Sequence, residues 1–232
     1  MRPLVRQPHA LDALALAALR EGALGSPLVS RSPLVGSFRE SRGFAAIFTR
    51  HGRARLEERM PFLAPFLDLA LAPAASLRMR TPLDVLMRRR LPAPTGFYLN
   101  LLLLGPGGSV GRHVDATLRT PSGVADAVPR FVTVLYLCSP PDAQGGELRL
   151  FDGAKPVASI RPRPGMLVQF RGDLLHEVAP LVSSRPDALR ASLVCEQYAF
   201  DADALARLPS LRLQSRAGFQ AYLEPPSITS RR

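Results

Sequence analysis

The chain has 232 residues, 47% hydrophobic and 21% charged, enough to bury one substantial core and too apolar for a disordered segment. Its net charge of +11 comes from scattered arginines, Lys155 being the only lysine, and not from the concentrated stripe of a nucleic-acid-binding face. The apolar stretch around Leu99 to Leu104 falls far short of the ~18 residues of a membrane span, and Asp12 and Arg20 interrupt the region a secretory leader would need.

Cys138 and Cys195 do not form a disulfide framework or a zinc knuckle, so a reducing, cytoplasmic setting is expected. In chain order, residues 1–94 are expected to be a helical region with a short hairpin, residues 95–203 a β-rich core, and residues 204–232 a C-terminal tail, polar from Pro209 onward and loosely held at its end. A helix is predicted over His9 to Glu21, stopped by Gly22 and Gly25. A hairpin is predicted from Leu34–Phe38 and Gly43–Thr49, and a second helix over Leu56–Leu71, divided by Pro61 and Pro65. Thr81, Pro82 and Asp84 form the start signature of a third helix, running to Arg90. From Phe97 short apolar runs alternate with Gly, Pro, Asp and Ser, the pattern of a β-sandwich or jelly roll. Strands are predicted at 97–104, 130–138, 146–151, 157–161, 166–170, 174–177 and 191–198.

The chemistry points to Gly111-Arg112-His113-Val114-Asp115, which follows a strand and the turn Gly105 to Gly108. Residues two apart on an extended strand project to the same side, so His113 and Asp115 can reach one metal ion. Of the four histidines, His9 and His51 lie in the helical half and His176 in the β half, which makes His176 the candidate third ligand. Two imidazoles and one carboxylate on one face of an octahedral ion leave positions open for small molecules.

These residues sit in a longer series: Gly105-Pro106-Gly107, His113-Val114-Asp115, Val132 to Leu137, Gly145-Gly146-Glu147-Leu148-Arg149-Leu150-Phe151, Pro164-Gly165-Met166, His176-Glu177-Val178 and Arg190. In order and spacing the series, from Phe97 to about Asp203, resembles the prolyl-4-hydroxylase-like branch of the iron(II)/2-oxoglutarate-dependent oxygenases. The resemblance implies an α+β, mainly β protein with a double-stranded β-helix core of jelly-roll or cupin kind, N-terminal helices packed on one sheet. It implies a cytoplasmic dioxygenase holding Fe(2+) through His113, Asp115 and His176. Arg190 would bind the far carboxylate of the co-substrate 2-oxoglutarate, helped by Ser192. The reaction implied is hydroxylation of an unactivated carbon, in peptidyl or free proline or another small molecule. It consumes O2, turns 2-oxoglutarate into succinate and CO2, and can use ascorbate as reductant. Asp115 stands where related halogenases carry a small residue.

The chain departs from the pattern in two places. Leu103 stands where the hypoxia-sensing hydroxylases have a tyrosine touching the co-substrate, for which Tyr98, Asn100 or Tyr136 is the substitute, Tyr136 being the one assigned. An insertion, Ser183 to Ala188, lengthens the path from His176 to Arg190. Two other functions stay open: a metal-binding jelly-roll module without turnover, and a nucleic-acid demethylase, against which Glu196 stands where such enzymes carry a second arginine. Gly145 and Gly146 read as a hairpin or bulge, Cys195 as packed core, and Asp173 and Glu177 as either solvated acids or hydrogen-bond partners of a ligand imidazole.

Overall fold

The computed structural model describes residues 1–29, 38–87, 92–118 and 128–214. Strand β1 (Leu4–Gln7) precedes helix α1 (Ala13–Leu24). The Asp12 carboxylate caps α1 by accepting the Ala15 amide at 2.8 Å. Gly22 does not stop this helix but lies inside it, where a Cβ would meet the Phe62 side chain at 2.5 Å; the helix ends at Gly25. Gly22 is thus a close-packing residue, a role that helix-ending statistics cannot distinguish from termination.

Strands β2 (Phe38–Arg42) and β3 (Ala45–Thr49) follow. Both pair end to end along one edge of the long β4 (Gly96–His113) and not with each other, and β2 occupies the stretch expected to be the turn between the two hairpin strands. Gly43 makes the junction possible: at φ +155°, any Cβ there would lie 1.6 Å from the Leu101 carbonyl oxygen. The Leu34–Ser37 part of that expectation lies outside the described residues, as do Arg88–Arg90 and 215–232.

The second predicted helix is divided where its prolines require, into α2 (Arg53–Arg59), a 3-10 turn at Pro61–Leu63 and α3 (Ala64–Leu71). Short helices α4 (Pro73–Arg78) and α5 (Pro82–Leu86) complete the helical stretch. At α5 the Thr81 hydroxyl accepts the Asp84 amide at 3.1 Å while the Asp84 carboxylate accepts the Thr81 amide at 2.8 Å.

After β4 come β5 (Phe131–Cys138), β6 (Gln144–Gly145), β7 (Leu148–Asp152), β8 (Lys155–Ile160), β9 (Leu167–Arg171), β10 (Leu175–Val178), β11 (Leu181–Val182) and β12 (Arg190–Tyr198). Helix α6 (Ala202–Ala206) and strand β13 (Leu211–Gln214) follow. The main sheet runs in the order β1-β9-β5-β12-β4-β10-β7-β8, every pairing antiparallel, and curls as a double-stranded β-helix. The start of the C-terminal tail contributes β13, which pairs with β3 and so is tied to the sheet.

Side-chain alternation along the strands separates two cores. Leu99, Leu101, Leu103, Leu135, Leu193 and Cys195 face the helical layer, meeting Leu19, Leu56, Leu63, Phe66 and Leu67. Tyr98, Leu102, Leu104, Val132, Val134, Tyr136 and Phe170 face the interior of the curl. Helices therefore close one face of the sheet and leave the other to form a pocket. Among the described residues no helix is long and apolar enough to cross a membrane.

Candidate metal and co-substrate site

His113 and His176 are opposite each other in the β4–β10 ladder, which brings their rings to 4.3 Å between centroids. Asp115 lies beyond the end of β4, so its place is not set by strand alternation, contrary to the sequence argument. Its carboxylate nonetheless meets both imidazoles: Oδ1 is 3.2 Å from His113 Nε2 and Oδ2 is 3.4 Å from His176 Nε2. One potential ligand atom from each of the three residues lies within 4.8 Å of the others. Adjacent ligands about 2.1 Å from a common octahedral ion stand about 3 Å apart, so the spacing suits one ion with little movement.

The other nitrogen of each ring is held by a backbone carbonyl, His113 Nδ1 at 2.7 Å from Gly111 O and His176 Nδ1 at 3.1 Å from Leu174 O. A carbonyl can only accept, so Nδ1 carries the hydrogen and the Nε2 lone pair points toward Asp115. The acids beside His176 do not orient a ligand ring: Asp173 pairs with Arg171 at 2.7 Å, and Glu177 with Arg112 at 3.0 Å and Arg149 at 3.5 Å.

Electrostatics tie the three together. Burial opposes charge on both Asp115 and His113. For Asp115 the two histidines outweigh it and hold the carboxyl well below its usual range. For His113 the hydrogen bond and charge of Asp115 outweigh burial and raise the imidazole above its ordinary value. The buried Asp115 Oδ2 makes no well-aligned hydrogen bond. A divalent cation would satisfy that oxygen and replace the proton shared among the three side chains.

These residues lie together in one pocket that opens to solvent. Leu102, Val110, Val132, Val134, Leu148 and Phe170 supply apolar walls, and β12 supplies Arg190, Ser192, Val194 and Glu196 from alternate positions. Arg190 is 1% exposed and reaches the pocket despite the insertion before it. Its Nη1 lies 3.5 Å from Ser192 Oγ, its guanidinium carbon 5.1 Å from the Tyr136 ring centroid, and its Nε has no hydrogen-bond acceptor. Burial lowers its pKa from the usual guanidinium value, with the nearby Tyr136 opposing that shift. Tyr136 packs against Arg190 but does not line the pocket wall, and its buried hydroxyl makes no well-aligned hydrogen bond. A dicarboxylate would give both groups the anion they lack.

Three readings change with the structure. Leu103 faces the helical layer, and the inward positions of β4 include Asn100 and Leu102, both of which line the pocket. The Gly105–Gly108 turn is instead a bulge within β4, where the β2 register passes from Ser109 to Leu104 across two residues. Gly146 does more than shape a bulge: at φ +71°, its missing Cβ would lie 3.4 Å from Arg190 Cδ. A bulky residue there would crowd the arginine, a contact that sequence spacing does not reveal.

Residues 98–195 match the family model described as the 2OG-Fe(II) oxygenase superfamily. The chain is also similar in part to a PKHD-type hydroxylase of Pseudomonas putida, 36% identical over 76 residues. That match takes in 32% of this chain and spans about a third (33%) of the relative's length. Among solved structures, a Pseudomonas putida prolyl-4-hydroxylase superposes with TM-score 0.55 at 21% identity, over 87% of this chain and 95% of the other. A Trichoplax adhaerens prolyl hydroxylase, solved with a peptide of the hypoxia-inducible factor oxygen degradation domain, superposes with TM-score 0.57 at 18% identity, over 89% and 87%. These likenesses cover most of the chain and show a shared fold.

Proposed function

We propose that the protein is an iron(II)- and 2-oxoglutarate-dependent dioxygenase that hydroxylates an unactivated carbon. The observation carrying this reading is the convergence of His113, Asp115 and His176 at a pocket that also contains a buried arginine without an acidic side chain paired to it among the described residues. His113, Asp115 and His176 would hold Fe(2+), with the two imidazoles fixed by backbone carbonyls and the carboxylate supplying negative charge. Arg190 would receive the far carboxylate of 2-oxoglutarate in a bidentate contact, with Ser192 donating a further hydrogen bond and Tyr136 supporting the guanidinium. When bound, iron(II) supplies the oxidation, using O2 to convert 2-oxoglutarate into succinate and CO2 and to place an oxygen atom on the substrate. The branched aliphatic walls exclude water from that chemistry and favour a compact apolar part of the substrate. A prolyl side chain, peptidyl or free, fits that description and is the substrate class proposed, in keeping with the prolyl hydroxylases that share the fold.

Incubation with Fe(2+), 2-oxoglutarate, ascorbate and air tests the proposal, with a proline-containing peptide library and free proline as substrates. Succinate is expected to form only with iron and 2-oxoglutarate present, and not in His113→Ala, Asp115→Ala or His176→Ala. An iron-loaded, folded protein that forms no succinate under any of these conditions would refute the reading.

A further inference from the structure

The two imidazoles and the carboxylate are held in different ways. His113 and His176 are fixed by the β4–β10 ladder, whereas Asp115 follows the last residue of β4 and has no ladder to place it. A metal site requires its ligands held to within about 0.5 Å, so something else must fix the chain after His113.

Strand β12 carries the groups that do so. The Thr117 hydroxyl donates to Glu196 Oε1 at 2.7 Å. The Tyr198 hydroxyl donates to Glu196 Oε2 and accepts the backbone amides of Thr117 at 3.1 Å and Leu118 at 3.4 Å. Every member is buried: Thr117 and Leu118 are 3% exposed, Glu196 2% and Tyr198 1%. Glu196 and Tyr198 are themselves fixed, Glu196 by pairing with both β4 and β5 and Tyr198 by stacking on Phe200 at 5.2 Å. The network closes on itself: Thr117 occupies one Glu196 oxygen, the Tyr198 hydroxyl the other, and the amides of Thr117 and Leu118 the phenol oxygen.

We infer that Glu196 and Tyr198 form a clamp that positions Asp115, so that β12, through this clamp, sets the affinity of the metal site. The inference rests on the reading of His113, Asp115 and His176 as metal ligands. It gives Glu196 a function different from substrate contact, since both its oxygens are engaged by the chain itself. Partners that orient a ligand from outside the coordination sphere affect metal affinity by about 10–100-fold, well above the scatter of a binding titration.

The experiment measures the Mn(2+) dissociation constant of the full chain, together with the thermal midpoint of the metal-free protein. Tyr198→Phe keeps the stacked ring and removes only the hydroxyl, while Glu196→Ala removes the carboxyl. Both are expected to weaken Mn(2+) binding by about tenfold or more. Glu196→Gln keeps the shape and can still bond to both hydroxyls, and is expected to bind within about threefold of the parent, a loss of about 0.6 kcal/mol. Thr117→Val tests the same link from the other side and is expected to weaken Mn(2+) binding in the same direction. A purely structural role would lower the metal-free midpoint and leave the dissociation constant unchanged. Mn(2+) affinities within twofold of the parent in Tyr198→Phe, Glu196→Ala and Thr117→Val would overturn the clamp while leaving the metal site intact. A parent chain that does not bind Mn(2+) would overturn both.

Discussion

Replacing Arg190 by Met removes a buried cation that has no carboxylate beside it among the described residues, keeps most of its volume, and separates two effects that an activity assay would merge. In the absence of co-substrate the guanidinium is 1% exposed and has an unpartnered Nε, so it bears a desolvation cost without a counter-ion. Substitution of such a buried charge by a matched apolar side chain is neutral or stabilising by about 1–4 kcal/mol. The co-substrate reverses the balance. Two charge-assisted hydrogen bonds to a carboxylate contribute about 3 kcal/mol together, which corresponds to roughly 150-fold in affinity. With 2-oxoglutarate at about 100 times its dissociation constant for the parent, mass action stabilises the folded protein by about 2.7 kcal/mol. For a chain of this length that is a rise of about 5–10 °C in the thermal midpoint. At the same concentration Arg190→Met retains about 0.3 kcal/mol, a rise near 1 °C. The assay is thermal unfolding with Mn(2+) present in place of iron, with and without 2-oxoglutarate. Equal rises in parent and variant would refute the assignment of Arg190.

Three further predictions follow from particular contacts. Gly146→Ala places a methyl in a left-handed backbone position against Arg190 Cδ and Leu181 Cδ1, so 2-oxoglutarate affinity should fall at least about tenfold, about 1.4 kcal/mol, with Mn(2+) affinity unchanged; titration of both ligands checks this. Because Asp115 raises the His113 pKa in the metal-free protein, that pair stabilises the fold most fully below the unfolded imidazole value of about 6.5 and loses its contribution as pH rises through the raised folded value. A metal competes with that same proton, so Mn(2+) affinity should climb between pH 6 and 8, and a flat profile by calorimetric titration would count against His113 as a ligand. Phe66→Ala, fully buried between the helices and the sheet, should cost about 3–5 kcal/mol in denaturant unfolding while leaving the Mn(2+) dissociation constant within twofold of the parent.

The sequence was most informative where chemistry and strand periodicity coincide. Histidines are few, so the choice of His176 to accompany His113 and Asp115 needed little more than their positions in the β half, and these three residues lie together in space. Alternation along β12 also put Arg190 and Ser192 on one side, where both line the pocket. Periodicity failed where the backbone departs from a regular strand. The bulge at Gly105–Gly108 shifts the register of β4, so alternation could not decide which of Tyr98, Asn100 or Tyr136 faces the site; Asn100 and Leu102 line the pocket and Leu103 faces the helical layer. Asp115 lies past the strand end and is held by long-range bonds from Glu196 and Tyr198 to its neighbours, contacts about 80 residues apart that no local pattern encodes. The stretch between Phe38 and Gly43 read as the turn of a hairpin, but it is strand β2, whose partner β4 lies about 60 residues later, beyond the reach of a local pattern. Gly22 likewise carried the signature of a helix end while serving helix packing.

Equilibrium dialysis under argon, counting bound Fe(2+) and bound 2-oxoglutarate per chain, tests the central claim most directly. One ferrous ion and one 2-oxoglutarate are predicted for the parent, loss of iron in Asp115→Ala and His176→Ala, and loss of 2-oxoglutarate alone in Arg190→Met. Iron bound as tightly by Asp115→Ala and His176→Ala as by the parent would contradict the account.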